Sequence, residues 1–509
     1  MKQLMHSFQG TYPPQAILDG VKNGQIAAFC LFSGINGRTP EEIRGLTEAL
    51  REAAAKGGQL PPLIGIDQEG GQLIAVNKSA TQLPGNMALG ATGDEELAEK
   101  AGYVLGRELL AMGVNINFAP ALDINNNPNN PVIGVRSFGD TPELAGRLGA
   151  AIIRGMQQAG IIATAKHFPG HGDINADTHL ATVTVSYDTQ RLYEVEIAPF
   201  KKAIEAGVAA VMSGHVTYTA LDPEWPATLS RRILRGLLRD ELGFKGICIT
   251  DAMDMQGVAY LGKEASVKAA LNAGADLILL GHLEGQLEMM EQFAGMVNAE
   301  SIARIEAAQR QMITELPDLS IVGCEEHRTI AQTIADRSIT VVHDKRQLLP
   351  LQADSIRKIA VITPKPVNLT PADTSSRVQI ELANAIRKRH GEVIALEVEH
   401  RPDGDDRQAA LEAAEESDAV IVATVCADQV EEQAALVQAL HATGKPVIAV
   451  SLRTPYDIMG YPMIETYLCA YGNRLVSMEA VAKVIFGEIE ATGTLPCAIP
   501  GISPTYSRA

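Results

Sequence analysis

The feature that most constrains the fold of this chain is an alternation of short apolar runs with amphipathic segments through residue 315. The strand candidates are residues 3–8, 27–32, 62–66, 114–119, 161–165, 209–213, 246–250 and 276–280. Helical patterns such as 40–55, 94–112 and 142–159 separate them. Eight β/α units in this length favour a closed (β/α)8 barrel of the TIM type. A doubly wound open sheet is the alternative that the pattern leaves open.

A second alternation begins after a long helical stretch, 299–315, and a polar, irregular segment that runs to about Arg328. Its strand candidates are residues 339–343, 358–362, 393–398, 419–425 and 447–452, with helical runs such as 376–389 and 429–443 between them. Five strands of this kind predict a three-layer α/β sandwich. At 509 residues a chain usually divides into two domains. We therefore expect a barrel at 1–316, a linker at 317–335 and the sandwich at 336–509.

Composition narrows the range of partners. The formal charge of −18 opposes binding to nucleic acid or to an anionic membrane, and no basic cluster offsets it. No stretch approaches the ~20 apolar residues that a membrane crossing needs. The first ten residues do not have the pattern of a signal peptide. We expect a cytoplasmic protein, monomeric or weakly self-associating, with a small-molecule substrate.

Polar residues cluster at the C-terminal ends of five of the predicted barrel strands. Asp67, Asp123, Lys166 with His167, His215 and Asp251 all stand at these positions. In a barrel of parallel strands the carboxyl ends meet on one face, where active sites are built. The sequence therefore predicts that these side chains converge. No GxGxxG follows a strand in the second alternation, so a Rossmann dinucleotide site is disfavoured there.

The most informative segment runs from Lys166 to His179 and packs three histidines, two aspartates and a lysine into fourteen residues. Such polar groups at the exit of a buried strand are energetically expensive unless a site uses them. In Asp177-Thr178-His179 the carboxylate and the imidazole can face the same way, and an imidazole titrates close to operating pH. The pair suits general acid–base catalysis. A structural hydrogen bond within the loop is the alternative.

Two further assignments stay open from the sequence: the role of Asp251, and whether the loop between residues 167 and 179 binds a metal ion. A carboxylate at Asp251, ending an apolar strand, suits a nucleophile that attacks a sugar's anomeric carbon, although a helix N-cap is also possible. Asp254 is its neighbour and competitor. The second alternative is a metal site in the loop. His167, His171, Asp173, Asp177 and His179 supply nitrogen and oxygen donors for zinc or manganese, although no HExxH is present.

These motifs together resemble glycoside hydrolase family 3, in particular its two-domain β-N-acetylglucosaminidase branch. The matching segments are IDQEGG at 66–71, RSFGD at 136–140, KHFPGHGD at 166–173, DTH at 177–179, MSGHVTY at 212–218, PATLS at 226–230, TDAMDM at 250–255 and GTLPCAIPG at 493–501. They cover nearly the whole chain in the family's order. Any one of them is moderately specific, and the combination is highly specific.

The resemblance implies a barrel followed by a second α/β domain, no metal or organic cofactor, and a retaining double displacement. In the mechanism that the resemblance implies, Asp251 is the nucleophile, and His179, assisted by Asp177, is the acid/base. The residues implied to hold the sugar are Asp67, Arg136, Lys166 and His167, and His215 is a further candidate contact from its strand-end position. The implied substrate is non-reducing terminal β-1,4-linked N-acetylglucosamine on muropeptides or peptidoglycan fragments.

The chain departs from the family's pattern at Gln72 and Ala75, where bacterial members often carry arginines. One sugar-holding contact is therefore in doubt, and with it the choice of aglycone. A histidine acid/base also tolerates an incoming phosphate, so a phosphorylase is an alternative to a hydrolase. A metal-dependent barrel hydrolase and a catalytically silent carbohydrate-binding protein are further alternatives. A loop of the second domain near Asp373 is a candidate to reach the barrel mouth.

Overall fold

The first part of the chain forms a closed barrel of parallel strands. The computed structural model describes residues 1–503, apart from the side chain of Asp354, so residues 504–509 of the expected second domain lie outside it. Strands β1 to β8 are Leu4–His6, Ala28–Leu31, Leu63–Ile66, Ile116–Asn117, Ile162–Phe168, Ala210–Ser213, Ile247–Thr250 and Ile278–Leu279. They pair in chain order, and a bridge between Ile249 and Leu277 joins β7 to β8. The predicted (β/α)8 barrel is confirmed, and the open sheet is wrong.

Helices surround this barrel. They are Gln15–Lys22, Pro40–Lys56, Asn86–Thr92, Glu95–Ala111, Pro142–Gln158, Thr189–Glu194, Ala198–Glu205, Arg232–Glu241, Gln256–Ala259, Lys263–Ala273, Gln286–Gln292 and Ala299–Gln311. The helix Pro40–Lys56 shows why they form: Thr39 and Glu42 make a capping box at its start. Its buried residues Ile43, Leu46 and Leu50 recur at helical spacing and face the barrel. Within residues 1–503, no helix combines the length and apolar character that crossing a membrane requires.

The barrel interior is a packed apolar core. Met5, Ile249 and Leu279 point inward from their strands and are buried together. Phe118 fills the space beside Gly65, where an added Cβ would lie 2.3 Å from the phenyl ring. Because side chains fill the interior, a substrate can enter only at the ends of the barrel.

The second part of the chain is a six-stranded sheet with helices on both faces. Its strands, β9 to β14, are Thr340–Asp344, Ile359–Pro364, Val393–Val398, Ala419–Thr424, Val447–Ser451 and Thr466–Cys469. They lie in the order β9-β14-β13-β12-β10-β11, and only the β9–β14 pair is antiparallel. The helices are Glu325–Ser338, Leu382–Arg387, Gly404–Glu415, Glu431–Ala442 and Leu475–Ile485. A separate apolar core lies against each face, so the predicted three-layer sandwich is confirmed.

Three details differ from expectation. The strand Thr466–Cys469 was not predicted. The helix Glu325–Ser338 occupies much of the segment expected to be an irregular linker, because its buried Ala331, Ile334 and Ala335 pack against neighbouring helices. The predicted helix 376–389 is only Leu382–Arg387, since the residues before it form a turn near the barrel. We retain 1–316, 317–335 and 336–509 as a proposed division of the chain.

Candidate active site

A cavity of about 540 Å³ opens at the carboxyl ends of the barrel strands. Six of the eight predicted site residues line it, namely Asp67, Arg136, Lys166, His167, His179 and Asp251. They come from sequence positions up to 184 residues apart, and the barrel brings them together. The strand-end pattern predicted this convergence for Asp67, Lys166, His167 and Asp251. The remaining two, Asp177 and His215, are buried behind the cavity wall.

One side of the cavity is a cluster of two cations and two anions. Arg136 donates from Nε and Nη2 to the two oxygens of Glu69, at 2.9 and 2.8 Å. Lys166 Nζ bridges Glu69 Oε1 at 2.7 Å and Asp67 Oδ1 at 2.6 Å. Glu69, Arg136 and Lys166 are almost fully buried, whereas Asp67 has a third of its side chain exposed to the cavity. The cluster fixes Asp67 as an anionic hydrogen-bond acceptor for a ligand.

The charges of this cluster support one another. Burial opposes ionisation of Glu69, but Arg136 and Lys166 outweigh it and lower the pKa of Glu69 to about 2. Burial likewise opposes the charge of Lys166, and the two carboxylates raise its pKa nonetheless. The pKa of Arg136 is raised for the same reason, mainly by Glu69. Glu69, Lys166 and Arg136 are therefore charged at neutral pH.

His167 is held by a carboxylate beneath it. Its Nδ1 lies 2.7 Å from Asp123 Oδ2, and its backbone N–H donates to Asp123 Oδ1 at 3.1 Å. The backbone N–H of His171 donates to the same oxygen at 2.7 Å. Asp123 is fully buried, and the histidines hold its pKa below the ordinary value despite burial. With Nδ1–H donating to Asp123, Nε2 of His167 is left to a ligand in the cavity, which His167 lines.

His179 and Asp177 form the predicted pair. His179 Nδ1 lies 2.6 Å from Asp177 Oδ1, which also accepts the backbone N–H of His179 at 2.9 Å. Burial lowers the pKa of His179, but Asp177 and the nearby charge of Asp251 outweigh it, so the pKa is raised above 6.5. No group among residues 1–503 hydrogen-bonds to Nε2, and His179 lines the cavity. The imidazole is thus oriented to exchange a proton there.

Asp251 follows strand β7 and keeps strand-like pairing, since its backbone N–H donates to Ser213 O at 3.1 Å. Its Oδ1 accepts the backbone N–H of Ala252 at 2.8 Å. Burial opposes its ionisation, yet His167, His215 and His179 around it hold its pKa well below the ordinary range. Asp251 is consequently an anion on a rigid strand end, with its second oxygen available to a ligand.

His215 does not reach the cavity, so the structure does not support it as a direct sugar contact. Its Nε2 lies 2.9 Å from the carbonyl of Ala252 and its Nδ1 lies 2.8 Å from Thr228 Oγ1. Burial lowers its pKa, and at Nε2 the ring donates to the carbonyl of Ala252. Its strand-end position is as predicted, but its neighbours occupy both ring nitrogens. Its geometry fits a residue that holds the backbone next to Asp251.

The second domain supplies one wall of the cavity. Residues of the segment 366–377, which we call the wall loop, line it, including Asn368, Thr370 and Thr374. Thr374 donates from its backbone N–H and its hydroxyl to Gln72 O, at 2.9 and 2.8 Å. Gln72 Nε2 in turn donates to Ala372 O at 2.9 Å. The expectation that a loop near Asp373 reaches the barrel mouth is confirmed.

The backbone of the Gly70-Gly71 turn explains this docking. Both glycines have positive φ, 88° and 59°, which side chains rarely tolerate. The turn exposes Gly71 O, which accepts from Arg474 Nε of the second domain at 2.7 Å. Arg474 is fully buried and also donates from Nη2 to Gln72 O at 3.3 Å. Gln72 therefore makes a domain contact at the position where family members often carry a sugar-holding arginine.

Two features of the cavity were missed from the sequence. Glu69, which holds Arg136 and Lys166, lies two residues past the strand-end Asp67 and was not singled out. His282 follows the last barrel strand, and its Nδ1 lies 3.0 Å from Asp254 Oδ2. This second His–Asp pair lines the cavity beside Phe32, whose ring centroid is 4.1 Å from that of His282. The strand-end rule that found Asp251, applied to the eighth strand, would have found His282.

The loop donors considered as metal ligands are engaged separately. His167 pairs with Asp123, and His179 with Asp177. His171 Nε2 lies 2.9 Å from Thr178 Oγ1, and Asp173 pairs with Arg191. Within residues 1–503, no three His, Cys, Asp or Glu side chains are arranged to hold a metal ion. The side chains are thus arranged in acid–base pairs.

Comparison with known proteins assigns the family. The model of the glycosyl hydrolase family 3 N-terminal domain matches residues 2–314, and that of the C-terminal domain matches 339–507. The chain belongs to glycosyl hydrolase family 3. It is a glycoside hydrolase and acts on carbohydrate.

Individual relatives match over both domains or over the barrel. A beta-hexosaminidase A of Pseudoalteromonas piscicida is 31% identical over 96% of this chain and 92% of its own length. A beta-hexosaminidase of Thiobacillus denitrificans is 39% identical over 50% of this chain and 71% of its own. The solved family 3 beta-N-acetylglucosaminidase of Paenibacillus sp. str. FPU-7 is 35% identical, with a TM-score of 0.92 over 99% of this chain and 98% of that one.

Proposed function

We propose that this hydrolase is a retaining exo-β-N-acetylglucosaminidase that removes non-reducing terminal β-1,4-linked N-acetylglucosamine from muropeptides or peptidoglycan fragments. The observation that carries the proposal is that the anionic Asp251 and the unengaged Nε2 of His179 line one cavity. The printed names of the relatives support the sugar, since they are beta-hexosaminidases and a beta-N-acetylglucosaminidase.

In the first step Asp251 attacks the anomeric carbon and forms a glycosyl ester. At the same time the Nε2–H of His179 protonates the departing glycosidic oxygen, and the aglycone leaves as an alcohol. Asp177 stabilises the imidazolium before transfer and keeps the proton of Nδ1, so that Nε2 carries the mobile proton.

In the second step a water enters where the aglycone stood. Nε2 of His179, now unprotonated, takes a proton from this water as its oxygen attacks the anomeric carbon. The ester bond breaks, Asp251 regains its negative charge, and the sugar leaves with its original β configuration. The dyad returns to its starting protonation state.

The charged cluster opposite these groups holds the sugar. Asp67 presents its exposed oxygen to sugar hydroxyls while Lys166 fixes its position. Arg136 and Lys166 donate hydrogen bonds to sugar hydroxyls from positions set by Glu69, and His167 forms a hydrogen bond with a hydroxyl through Nε2. The cavity is closed at its floor by the packed barrel interior, which suits removal of a terminal sugar.

The test compares p-nitrophenyl β-N-acetylglucosaminide with the corresponding β-glucoside, and follows the product anomer by proton NMR. We expect strong preference for the N-acetyl sugar and initial release of the β anomer. Initial release of the α anomer would refute the double displacement, and preference for the glucoside would refute the substrate class. Asp251→Asn removes the proposed nucleophile and should lose this activity. Its matched control is Glu96→Gln, which removes an exposed carboxylate remote from the cavity.

Phosphorolysis is a second candidate, favoured by the chemistry of His179. A carboxylic acid/base becomes anionic after donating its proton and repels phosphate, whereas His179 becomes neutral. Phosphate in the place of water would attack the glycosyl ester and release N-acetylglucosamine 1-phosphate. Its formation at saturating phosphate would support this route. Release of free N-acetylglucosamine alone under that condition would refute it.

A further inference from the structure

The carboxyl edge of the second sheet faces the barrel, and a distinct cavity lies there. Strands β10 and β12 are neighbours in the sheet, although β11 comes between them in sequence and lies on the other side of β10. The strand order therefore reverses between β10 and β12. Ligands of open α/β sheets bind outside the carboxyl ends of the strands at such a reversal. We call the cavity at this point the switch-point crevice.

The switch-point crevice has a volume of about 30 Å³ and is lined from both domains. Lys365, Val425 and Arg453 reach it from the ends of β10, β12 and β13, and Gln72 and Val135 come from the barrel side. This volume holds about two water-sized bodies, since one water needs roughly 10–15 Å³ by the same measure. It admits a carboxylate or a small oxyanion and excludes a sugar ring.

Two side chains that line this crevice each carry a buried polar atom with no hydrogen-bond partner among residues 1–503. Arg453 is 8% exposed, and its Nε hydrogen-bonds to no described group. Gln72 is 5% exposed, and its Oε1 likewise accepts no hydrogen bond. Burying such atoms without a partner is unfavourable, so a ligand that satisfies them is stabilised. The unpaired N–H of Arg453 requires an oxygen that accepts a hydrogen bond, and the unpaired side-chain carbonyl of Gln72 requires a hydrogen-bond donor.

The charges around the crevice favour an anion at Arg453. Asp428 and Asp457 lie near this guanidinium, but burial raises the pKa of both carboxyls, which disfavours their charged forms. Burial, with help from Arg453, lowers the pKa of His400 and keeps that ring neutral. Arg453 Nη1 lies 3.7 Å from Cys426 Sγ, and no carboxylate among residues 1–503 forms an ion pair with this guanidinium.

Two more charged groups line the crevice. Both oxygens of Asp373 already accept a hydrogen bond, from the backbone N–H groups of Leu369 and Ser375 at 3.1 and 2.8 Å. Lys365 adds a second cation, which an exposed pair with Glu399 at 3.0 Å holds only weakly. Within residues 1–503, Asp373 is the one carboxylate lining the crevice, and both of its oxygens accept backbone N–H groups.

We propose that the switch-point crevice binds a small anion, a carboxylate or an oxyanion, with Arg453 Nε as the principal donor and Gln72 Oε1 accepting from a hydroxyl of the ligand or a water. The wall loop separates this crevice from the catalytic cavity. Asn368 and Thr370 line the cavity, whereas Val367 and Leu369 line the crevice. A ligand in the crevice therefore contacts the back of a wall of the active site, and the binding does not depend on the reaction proposed above.

The experiment measures binding in the full chain by isothermal titration with sulfate and, separately, with acetate, at constant ionic strength set by chloride. Sulfate represents an oxyanion and acetate a carboxylate, so the two titrations distinguish the sources. Crystals grown with selenate in place of sulfate locate the anion by its anomalous scattering. We expect saturable binding of at least one probe and a selenium peak beside Arg453.

Substitution completes the test. Arg453→Met should weaken the binding at least tenfold, and Gln72→Glu, which places a carboxylate in the crevice, should weaken it similarly. Arg357→Met, at an arginine whose side chain is 91% exposed, should leave it unchanged. Equal affinity in the wild type and in both crevice variants would overturn the proposal. So would a crevice that holds only water at saturating selenate.

Discussion

Replacing Glu69 by glutamine should destabilise the folded protein strongly, although the two side chains have nearly the same shape. Glu69 accepts three charge-assisted hydrogen bonds, two from Arg136 and one from Lys166, and all three side chains are buried. A glutamine keeps one acceptor oxygen and turns an amide N–H toward the cations. Arg136 then loses its buried counter-ion, while Lys166 keeps only Asp67.

The size of this loss follows from the pKa of Glu69. The pKa falls from 4.5 to about 2 on folding, and each pH unit is worth roughly 1.4 kcal/mol, which gives about 3 kcal/mol. Removing one partner from a buried ion pair costs about 3–5 kcal/mol in other proteins, so the two values agree. We expect the unfolding free energy of Glu69→Gln to fall by about 3 kcal/mol at pH 7.

The pH dependence has a definite sign. Because folding lowers the pKa of Glu69, its charge contributes stability that is complete above pH 4.5 and is lost as pH falls toward about 2. The assay is urea unfolding of the wild type, Glu69→Gln and the exposed control Glu96→Gln between pH 7 and pH 3. The difference between wild type and Glu69→Gln should be constant above pH 5 and shrink below it. A loss no larger than in Glu96→Gln, or a difference that does not vary with pH, would refute the reasoning.

The other predictions concern the reaction. Asp251→Asn should lower kcat on the order of 10⁴-fold without unfolding the protein, which activity and circular dichroism together measure. His179→Ala should slow hydrolysis of a disaccharide about 10²- to 10⁴-fold and an activated aryl glycoside much less, because a good leaving group needs no proton; equal losses would argue against His179 as the acid. Asp177 raises the pKa of His179, and His179 must be protonated in the first step. The basic limb of the kcat/KM profile should therefore lie above pH 6.5 and move to lower pH in Asp177→Asn. If the limb does not move in this variant, it belongs to another group. A chelator should leave kcat/KM unchanged, and a loss restored by zinc or manganese would instead support the metal-dependent reaction.

The barrel was predictable because each of its strands is a short apolar run, and most of these runs have a polar residue at or near their carboxyl end. That signal depends only on burial of the strand and on the exposure of its end, and both are local properties of the sequence. Asp67, Lys166, His167 and Asp251 were found in the same way, whereas Arg136 and His179 were found from the motifs in which they stand. His282 shows that the rule extends further, since it follows the eighth strand as Asp251 follows the seventh.

What the sequence could not give depends on contacts between distant segments. Glu69 is one carboxylate among many until Arg136, 67 residues later, is folded against it. The strand Thr466–Cys469 is only four residues long and is defined by its neighbours β9 and β13 on either side. The contact of Gln72 with Ala372 joins residues 300 positions apart. No local pattern carries such information, because the partner decides the role.

The two proposed catalytic groups are held by different means, and this has consequences for the reaction. Asp251 stands at the end of a barrel strand, with its backbone in the sheet hydrogen-bond network, so its position is as rigid as the core. His179 lies in the long connection after β5, where Arg191 pairs with Asp173 and Glu196 at 3.1 and 3.3 Å. These partly exposed pairs are weaker than sheet pairing. Changes in this connection should therefore affect protonation of the leaving group while leaving the nucleophile in place, so the acid step is the one that the protein can tune without disturbing its core.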